Sequence, residues 1–219
     1  MLEEYGIAIP QGVPARTGAE AGKTAARWGG NAVVKGQVLT GGRGKAGAIR
    51  VVSSEKEAES AAQKILALTV KGYPVRQVLV TEKIDIRQEY YAGVTVDRDT
   101  KSVVLILSAA GGMDIEEIAA RGPQRIRRYT LSGGNHPHGA EPLADWLAES
   151  FPDTAIRDQA VLIVEDMHRL FWEKDCSLVE INPLAVTGQG RLIAADAKVV
   201  FDDNAVFRHP ELEKYRNEE

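Results

Sequence analysis

The chain has 219 residues, of which 44% are apolar and 26% are charged, an ordinary composition for a globular protein. Its formal net charge of −4 disfavours binding to nucleic acid, whose phosphate backbone requires a basic surface. The longest apolar run, around Val103 to Leu107, is far shorter than the ~20 residues that a membrane span needs.

The N-terminus and the cysteine content indicate a cellular compartment. The chain begins Met1-Leu2-Glu3-Glu4, without the basic and apolar regions of a secretory leader. Cys176 is the only cysteine, so no intrachain disulfide can form. We therefore expect a cytoplasmic protein.

Residues 13–83 have the pattern of one structural unit. A helix is predicted to follow Ser54, because Ser54 with Glu57 three residues later forms a capping-box pattern. Gly72-Tyr73-Pro74 ends that helix. The other predicted elements of the unit are a helix at 19–28 and strands at 32–38, 48–52 and 75–83.

A glycine-rich loop joins the predicted strands 32–38 and 48–52. The sequence from Gly41 to Gly47 is GGRGKAG, and Lys35 precedes it. Glycine lets the backbone approach an anion closely, while Lys35, Arg43 and Lys45 supply positive charge. A Walker-type loop needs Ser or Thr after Gly-Lys and then a helix, whereas Ala46 and a strand-like segment follow here. The pattern predicts a flap between antiparallel strands that covers a nucleotide.

The remaining chain also mixes strands and helices. The predicted elements are strands at 89–97 and 102–110, a short helix at 113–121, a loop at 130–142 and an amphipathic helix at 154–174.

The last predicted element is a hairpin of strands 178–187 and 191–201 around Gly188-Gln189-Gly190. If the turn has three residues, Asn182 lies opposite Asp196, and Glu180 lies opposite Lys198. All four side chains then share one face of the hairpin. A two-residue turn would shift the register by one and separate them.

Such a cluster of carboxylate and amide oxygens suits a hard cation, and Mg²⁺ is commonly held by one or two protein ligands plus phosphate oxygens. An exposed polar sheet face with salt bridges fits the same spacing about equally well. The glycine-rich loop favours the metal, because a bound polyphosphate needs a counter-charge.

Together these segments resemble the ATP-grasp portion of the β subunit of succinyl-CoA synthetase and related acyl-CoA synthetases, such as malate–CoA ligase. Motifs in the same order as in that family extend over nearly the whole chain. They are Val33-Val34-Lys35 with Gly41–Gly47, Gly111–Glu117, Glu180–Leu184, and Asp196-Ala197-Lys198 with Phe201–Ala205.

The resemblance implies an α/β (α+β), two-lobed ATP-grasp fold without the C-terminal flavodoxin-like CoA-ligase domain. Residues 13–83 would form the small lobe, and 1–12 with 84–219 the large lobe. ATP or GTP with Mg²⁺ would be the ligands. The implied nucleotide contacts are Lys35 on the phosphates, Gly42, Arg43 and Gly44 in the flap, Thr81, Glu82, Lys83 and Ile84 at the adenine hinge, and Glu89 near the ribose.

The resemblance also implies metal ligands, a reaction and a partner. Asn182 and Asp196 would bind Mg²⁺, with Glu180 close by, and Lys35 and Arg43 would neutralise charge on the moving phosphoryl group. In the family, a histidine on an α-type partner accepts the γ-phosphoryl group. An acyl phosphate and then acyl-CoA follow, with the carboxylic acid and CoA bound mainly on the partner. A hetero-oligomer is therefore expected.

Several features depart from the family. Thr81 stands where an acidic residue is usual, the segment 128–143 is short, and the chain stops at Glu219 where family members continue. A naturally short subunit and a shortened form of a longer chain are both compatible with that last departure. His136 and His138 lie outside the family's motifs, and we expect them, like His168 and His209, to have no catalytic role.

Two other functions remain open. A freestanding ATP-grasp ligase would join a carboxylate to an amine and would need its own acyl-binding pocket. A non-catalytic nucleotide-binding module would keep the fold without turnover, although Lys35, Arg43, Asn182 and Asp196 all being present argues against it.

Overall fold

A computed structural model describes residues 1–131 and 141–215. The chain folds into two units, one formed by Pro10–Asp85 and the other by Met1–Ile9 with Ile86–Glu219. The first unit extends three residues before and two residues beyond the predicted 13–83. Within the described residues, no helix combines the length and the hydropathy needed to cross a bilayer.

The unit Pro10–Asp85 is a four-stranded antiparallel sheet with two helices. The strands are β1 (Gly12–Ala15), β2 (Ala32–Gln37), β3 (Ile49–Val52) and β6 (Gln77–Glu82), in the order β1-β6-β2-β3, and the helices are α1 (Gly18–Ala26) and α2 (Glu55–Leu66). A two-residue pair, β4 (Thr69–Val70) and β5 (Tyr73–Pro74), precedes β6. Alanine and valine dominate its core, so helices and sheet can approach closely.

Both helices of this unit begin at side-chain caps. Thr17 Oγ1 accepts a hydrogen bond from Glu20 N–H, and Ser54 Oγ accepts one from Glu57 N–H, both at 3.2 Å. The predicted start of α2 at Ser54 is therefore confirmed. The glutamate of the capping box differs in detail, because Glu57 Oε2 accepts from the N–H of Ser53 at 2.8 Å instead of reaching Ser54.

The second unit is built on a larger sheet. Its strands are β7 (Ile86–Asp97), β8 (Ser102–Ser108), β9 (Arg127–Leu131), β10 (Cys176–Thr187), β11 (Leu192–Ala194) and β12 (Ala197–Phe201). Both β11 and β12 pair with β10, which continues the sheet as β10-β7-β8-β9. The helices are α3 (Ile115–Arg121), α4 (Leu143–Leu147) and α5 (Thr154–Glu173).

Helix α5 covers one face of this sheet. Met167 and Leu170 are fully buried and belong to the same core cluster as Val94 and Leu105 of the sheet. Asp153 begins the helix, since its Oδ1 accepts from Ala155 N–H at 2.9 Å and from Ile156 N–H at 3.2 Å. The predicted amphipathic helix at 154–174 is confirmed.

Two predicted bounds in this unit differ from the structure. The loop predicted at 130–142 begins too early, because β9 includes Thr130 and Leu131, which pair with Val104 and Val103. Residues 132–140 of that prediction lie outside the described residues. The predicted strand 191–201 is interrupted between Ala194 and Ala197, although its register continues. His136 and His138 lie outside the described residues.

Candidate functional site

The glycine-rich segment is a loop between antiparallel strands, as predicted. Strands β2 and β3 pair from Ala32↔Val52 to Lys35↔Ile49, and no helix follows the loop as in a Walker motif. Gly42 and Gly47 have positive φ of 84° and 72°, which glycine adopts without strain. A Cβ on Gly41 or Gly44 would meet nothing within 4 Å. The loop therefore presents bare backbone, as close contact with an anion requires.

Arg43 and Lys35 are held by the same unit. The Arg43 Nη1 donates to the Gly36 carbonyl at 3.4 Å, which ties the loop to β2. Lys35 is 8% exposed. On either side of Lys35 in β2, the Val34 side chain belongs to the core beneath the helices. A Cβ on Gly36 would face the same way, because it would meet Ile65 of α2 at 3.1 Å. Lys35 thus lies on the sheet face opposite the helices.

The segment predicted as the adenine hinge ends β6. The N–H of Glu82 donates to the Gln11 carbonyl at 2.9 Å, and the N–H of Lys83 donates to the Asn31 carbonyl at 3.4 Å. These two donors are engaged within the unit, so other backbone groups of Thr81–Ile84 would have to read a base. Thr81 itself is 2% exposed, and its buried Oγ1 makes no hydrogen bond.

One cation beside the loop was missed by the sequence analysis. A Cβ on Gly42 would lie 3.3 Å from Lys71 Nζ, so this ammonium group approaches the flap backbone. Lys71 lies in the turn between β4 and β5 with φ of 50°. The sequence indicated a break at Gly72-Tyr73-Pro74, but no local pattern indicated that Lys71 lies close to Gly42.

The predicted register of the last hairpin is confirmed. Glu180 pairs with Lys198, and the Asn182 N–H donates to the Asp196 carbonyl at 3.0 Å. Thr187 N–H donates to the Arg191 carbonyl at 2.8 Å, which closes the three-residue turn. Glu180 and Asn182 of β10 therefore lie next to Asp196, which stands between β11 and β12.

Glu180 is fixed by a tyrosine from the neighbouring strand. Tyr91 Oη donates to Glu180 Oε2 at 3.0 Å. Gly93 lies opposite Glu180 in the β7–β10 pairing, and a Cβ there would come within 2.8 Å of Tyr91 Oη. Burial raises the pKa of Glu180, and the Tyr91 hydrogen bond and the Lys198 charge oppose that rise.

Asn182 and Asp196 hold hydrogen bonds of their own. Asn182 Oδ1 accepts from the N–H of Gly112 at 2.8 Å, and Asp196 Oδ1 accepts from the N–H of Ala197 at 3.1 Å. An amide oxygen has two lone pairs and a carboxylate about four acceptor sites, so an oxygen that accepts one hydrogen bond can also coordinate a cation.

The donor set fits Mg²⁺. Glu180, Asn182 and Asp196 offer hard oxygen ligands, the kind that Mg²⁺ prefers. In residues 1–131 and 141–215, no group of three or more His, Cys, Asp or Glu side chains is placed to hold a metal ion. An ion held by so few protein groups would complete its shell with water or phosphate oxygens.

Glu89 lies beside a glycine bend. Its carbonyl accepts from the N–H of Gly111 at 3.1 Å, and a Cβ on Gly112 would come within 2.7 Å of Glu89 Oε2. Glu89 and the three predicted metal ligands belong to the same unit, whereas Lys35, the flap and Thr81–Ile84 belong to Pro10–Asp85.

Neither described histidine has the setting of an exposed phosphoryl acceptor. His168 is fully buried, and its Nε2 accepts from Trp172 Nε1–H at 2.9 Å. His209 is bonded to Asp175 at 2.7 Å.

Comparison with curated proteins gives close relatives. The succinate–CoA ligase (ADP-forming) subunit beta of Bacteroides thetaiotaomicron is 44% identical over 97% of this chain and 56% of the relative. The succinate–CoA ligase (GDP-forming) subunit beta of Thermus thermophilus is 42% identical over 100% of this chain and 57% of the relative. The chain thus spans about half the length of the curated relatives it matches.

Solved structures with the same fold are more distant in sequence. An ATP citrate lyase from Methanothrix soehngenii, in complex with citrate and coenzyme A, has a TM-score of 0.69 at 18% identity, over 95% of this chain and 48% of that one. A dinucleotide-forming acetyl-coenzyme A synthetase 1 from Ca. Korarchaeum cryptofilum has a TM-score of 0.60 at 17% identity, over 92% and 88%. That structure holds coenzyme A and Mg-AMPPCP, with a phosphohistidine segment pointing towards the nucleotide binding site.

A family model described as the ATP-grasp domain matches residues 1–186, which is most of the sequence. With the fold described above, this match shows that the chain belongs to the ATP-grasp domain family.

Proposed function

We propose that this chain is the nucleotide-binding part of an ATP-dependent acid–thiol ligase of the succinate–CoA ligase type. The observation that carries the proposal is 44% identity over 97% of the chain to a succinate–CoA ligase subunit beta. ADP-forming and GDP-forming relatives match at similar identity, so the proposal includes both ATP and GTP.

In this proposal the unit Pro10–Asp85, which carries the glycine-rich loop, binds the phosphates. The backbone N–H groups of Gly42 and Gly44 would donate hydrogen bonds to phosphate oxygens, while Lys35 and Arg43 would neutralise their charge. Thr81–Ile84 would contact the base and Glu89 the ribose. Phosphoryl transfer depends mainly on positioning and charge neutralisation, which these groups can supply without covalent chemistry of their own.

Asn182 and Asp196 would hold Mg²⁺, with Glu180 as a further ligand. When bound, Mg²⁺ would supply positive charge that offsets the negative charge of the phosphates. The protein's own contribution is orientation: the paired register fixes Asn182 and Asp196, and Tyr91 fixes Glu180.

The γ-phosphoryl group would pass from the nucleoside triphosphate to a histidine on an α-type partner, leaving the diphosphate. A carboxylate would then take the phosphoryl group from the histidine as an acyl phosphate, and the thiol of CoA would displace phosphate to give acyl-CoA. The phosphohistidine segment of the Korarchaeum acetyl-coenzyme A synthetase, which shares the fold, supports this step. A partner that supplies the histidine and the CoA site would make the active enzyme a hetero-oligomer.

Replacing Asp196 by Ala tests the metal site. We expect Asp196→Ala to abolish Mg²⁺-dependent ATP or GTP binding in titration calorimetry, because a hard anionic ligand is lost. Asp158→Ala is the matched control, since Asp158 is an exposed aspartate of α5. Unchanged nucleotide affinity in Asp196→Ala would remove this residue from the site.

Transfer to a partner tests the reaction. The chain is purified with its associated proteins from the native source, and its partners are identified by mass spectrometry. γ-Labelled ATP should then give an acid-labile phosphohistidine on a co-purifying subunit. Turnover of ATP with an amine acceptor and no partner would contradict the proposal and favour a freestanding ligase.

A further inference from the structure

The side-chain amide of Asn182 uses both of its polar atoms on one backbone segment. Its Oδ1 accepts from the N–H of Gly112, and its Nδ2 donates to the carbonyl of Met113, both at 2.8 Å. Gly112 and Met113 stand about 70 residues away in sequence. The backbone partners also fix the orientation of the amide, because an N–H can only donate and a carbonyl can only accept.

The two hydrogen bonds match the donor and the acceptor of an amide at residue 182. A carboxylate could serve a cation at least as well, but it would place an anionic oxygen against the Met113 carbonyl oxygen. A hydroxyl is shorter and could not reach both groups. Among side chains of this length, asparagine alone has a donor and an acceptor on one rigid plane.

The segment held by Asn182 is also held from the other side. Gly111 N–H donates to the Glu89 carbonyl at 3.1 Å, and a Cβ on Gly111 would lie 2.6 Å from the Tyr90 carbonyl oxygen. Gly112 has φ of 73°, which allows the sharp change of direction between these contacts. The bend Gly111–Met113 therefore connects β7, which carries Glu89, to β10, which carries Asn182.

We propose that Asn182 is a positioning residue, whose amide latches the Gly111–Met113 bend and so couples the metal-binding hairpin to the strand that bears Glu89. The latch operates alongside cation binding, because the second lone pair of Oδ1 stays available. Its role in turnover depends on the proposed function, whereas the latch itself does not.

Two substitutions separate the latch from ligation. Asn182→Asp keeps an oxygen ligand for the cation but repels the Met113 carbonyl, while Asn182→Leu removes the ligand and both hydrogen bonds. Backbone amide exchange of Gly111 and Gly112 is measured by NMR, and Mg²⁺ affinity is measured by titration in the presence of ADP. Asn31→Asp is the control, because Asn31 is an exposed asparagine in the other unit.

Exchange at the bend decides the proposal. We expect acceleration of about 5- to 150-fold for Asn182→Leu, which loses both bonds. Asn182→Asp should show a smaller acceleration, because its carboxylate still accepts from the N–H of Gly112 while the bond to Met113 is lost. Asn31→Asp should leave these rates unchanged. Wild-type exchange rates in Asn182→Leu would overturn the latch.

The affinity measurement addresses the proposed function separately. Asn182→Asp should retain Mg²⁺ affinity within about threefold, whereas Asn182→Leu should weaken it at least about tenfold, since only the leucine lacks an oxygen ligand. Unaltered Mg²⁺ affinity in Asn182→Leu, with fast exchange at Gly112, would refute ligation by residue 182 and support the latch.

The unmodified protein offers a measurement that does not depend on how the variants fold. One Nδ2 proton of Asn182 donates to Met113, so its side-chain amide should exchange more slowly than that of exposed Asn31. Equal exchange rates for the two side-chain amides would contradict the latch.

Discussion

At the scale of single residues, Gly93 determines where Tyr91 lies. Gly93 leaves the space that the tyrosine ring occupies on its way to Glu180, since a Cβ would approach Tyr91 Oη at 2.8 Å and Tyr91 Cε1 at 3.1 Å. Tyr91 is 2% exposed, so its ring has little room to move aside.

We expect Gly93→Ala to lower the free energy of unfolding by about 1–3 kcal/mol, because the new methyl group overpacks the Tyr91 ring. Urea denaturation measures this change. Gly41→Ala is the control, since a Cβ there meets no atom within 4 Å, and it should change stability by less than ~0.5 kcal/mol. Equal stability of the two variants would show that Tyr91 relocates freely.

Glu180 should make the free energy of unfolding fall as pH rises. Burial raises the pKa of its carboxyl group above the ordinary value of 4.5. The folded state therefore binds this proton more tightly than the unfolded state, and stability falls as pH rises from 4.5 through the raised pKa. Burial thus disfavours the ionised form of Glu180.

Glu180→Gln should remove that dependence. With EDTA present, we expect the variant to gain stability relative to the unmodified protein between pH 4 and pH 7, as measured by urea denaturation at both values. Added Mg²⁺ should stabilise the unmodified protein more than the variant, because binding to the folded state alone shifts the unfolding equilibrium. An equal difference in unfolding free energy between Glu180→Gln and the unmodified protein at pH 4 and at pH 7 would contradict this prediction.

At the scale of elements, helix α5 depends on Asp153, the residue that caps its N-terminus. Asp153 satisfies two backbone N–H groups that have no partner within the helix. The helix packs Met167 and Leu170 against the larger sheet, so fraying at its start would weaken a buried interface.

Asp153→Ala should lower the free energy of unfolding by about 1 kcal/mol through loss of the cap. Asp158→Ala removes the same charge from an exposed position of the same helix and should change stability by less than ~0.5 kcal/mol. Thermal and urea denaturation distinguish the two variants. If both lost the same stability, helix charge and not capping would be responsible.

At the scale of the whole molecule, each unit has its own apolar core. Ile65 is buried in the core of Pro10–Asp85, and Leu170 is buried in the core of the other unit. Each core has its own sheet and its own helices.

Truncation in one core should therefore act mainly on its own unit. We expect Ile65→Ala and Leu170→Ala each to cost roughly 2–5 kcal/mol. Hydrogen exchange should show lost protection mainly within Pro10–Asp85 for the first variant and mainly from Ile86 onward for the second. Equal losses across both units in each variant would indicate a single cooperative unit instead.

The local elements of the chain followed from local rules. Ser54 marked the start of α2, the alternation around the glycine loop marked β2 and β3, and Gly188-Gln189-Gly190 set the register that aligns Asn182 with Asp196. Caps, periodicity and turn length act over a few residues, so the sequence by itself determined them.

The tertiary structure decided the contacts that connect distant segments. Strand β9 was missed because its buried Tyr129 and Leu131 gain their strand partner only from β8. Tyr91 meets Glu180 across 89 residues, and Asn182 meets Gly112 across 70. No local pattern encodes such pairs, because strand order brings them together only when the sheet has formed. The sequence thus determined which oxygen atoms the hairpin offers, and the fold decided what holds them in place.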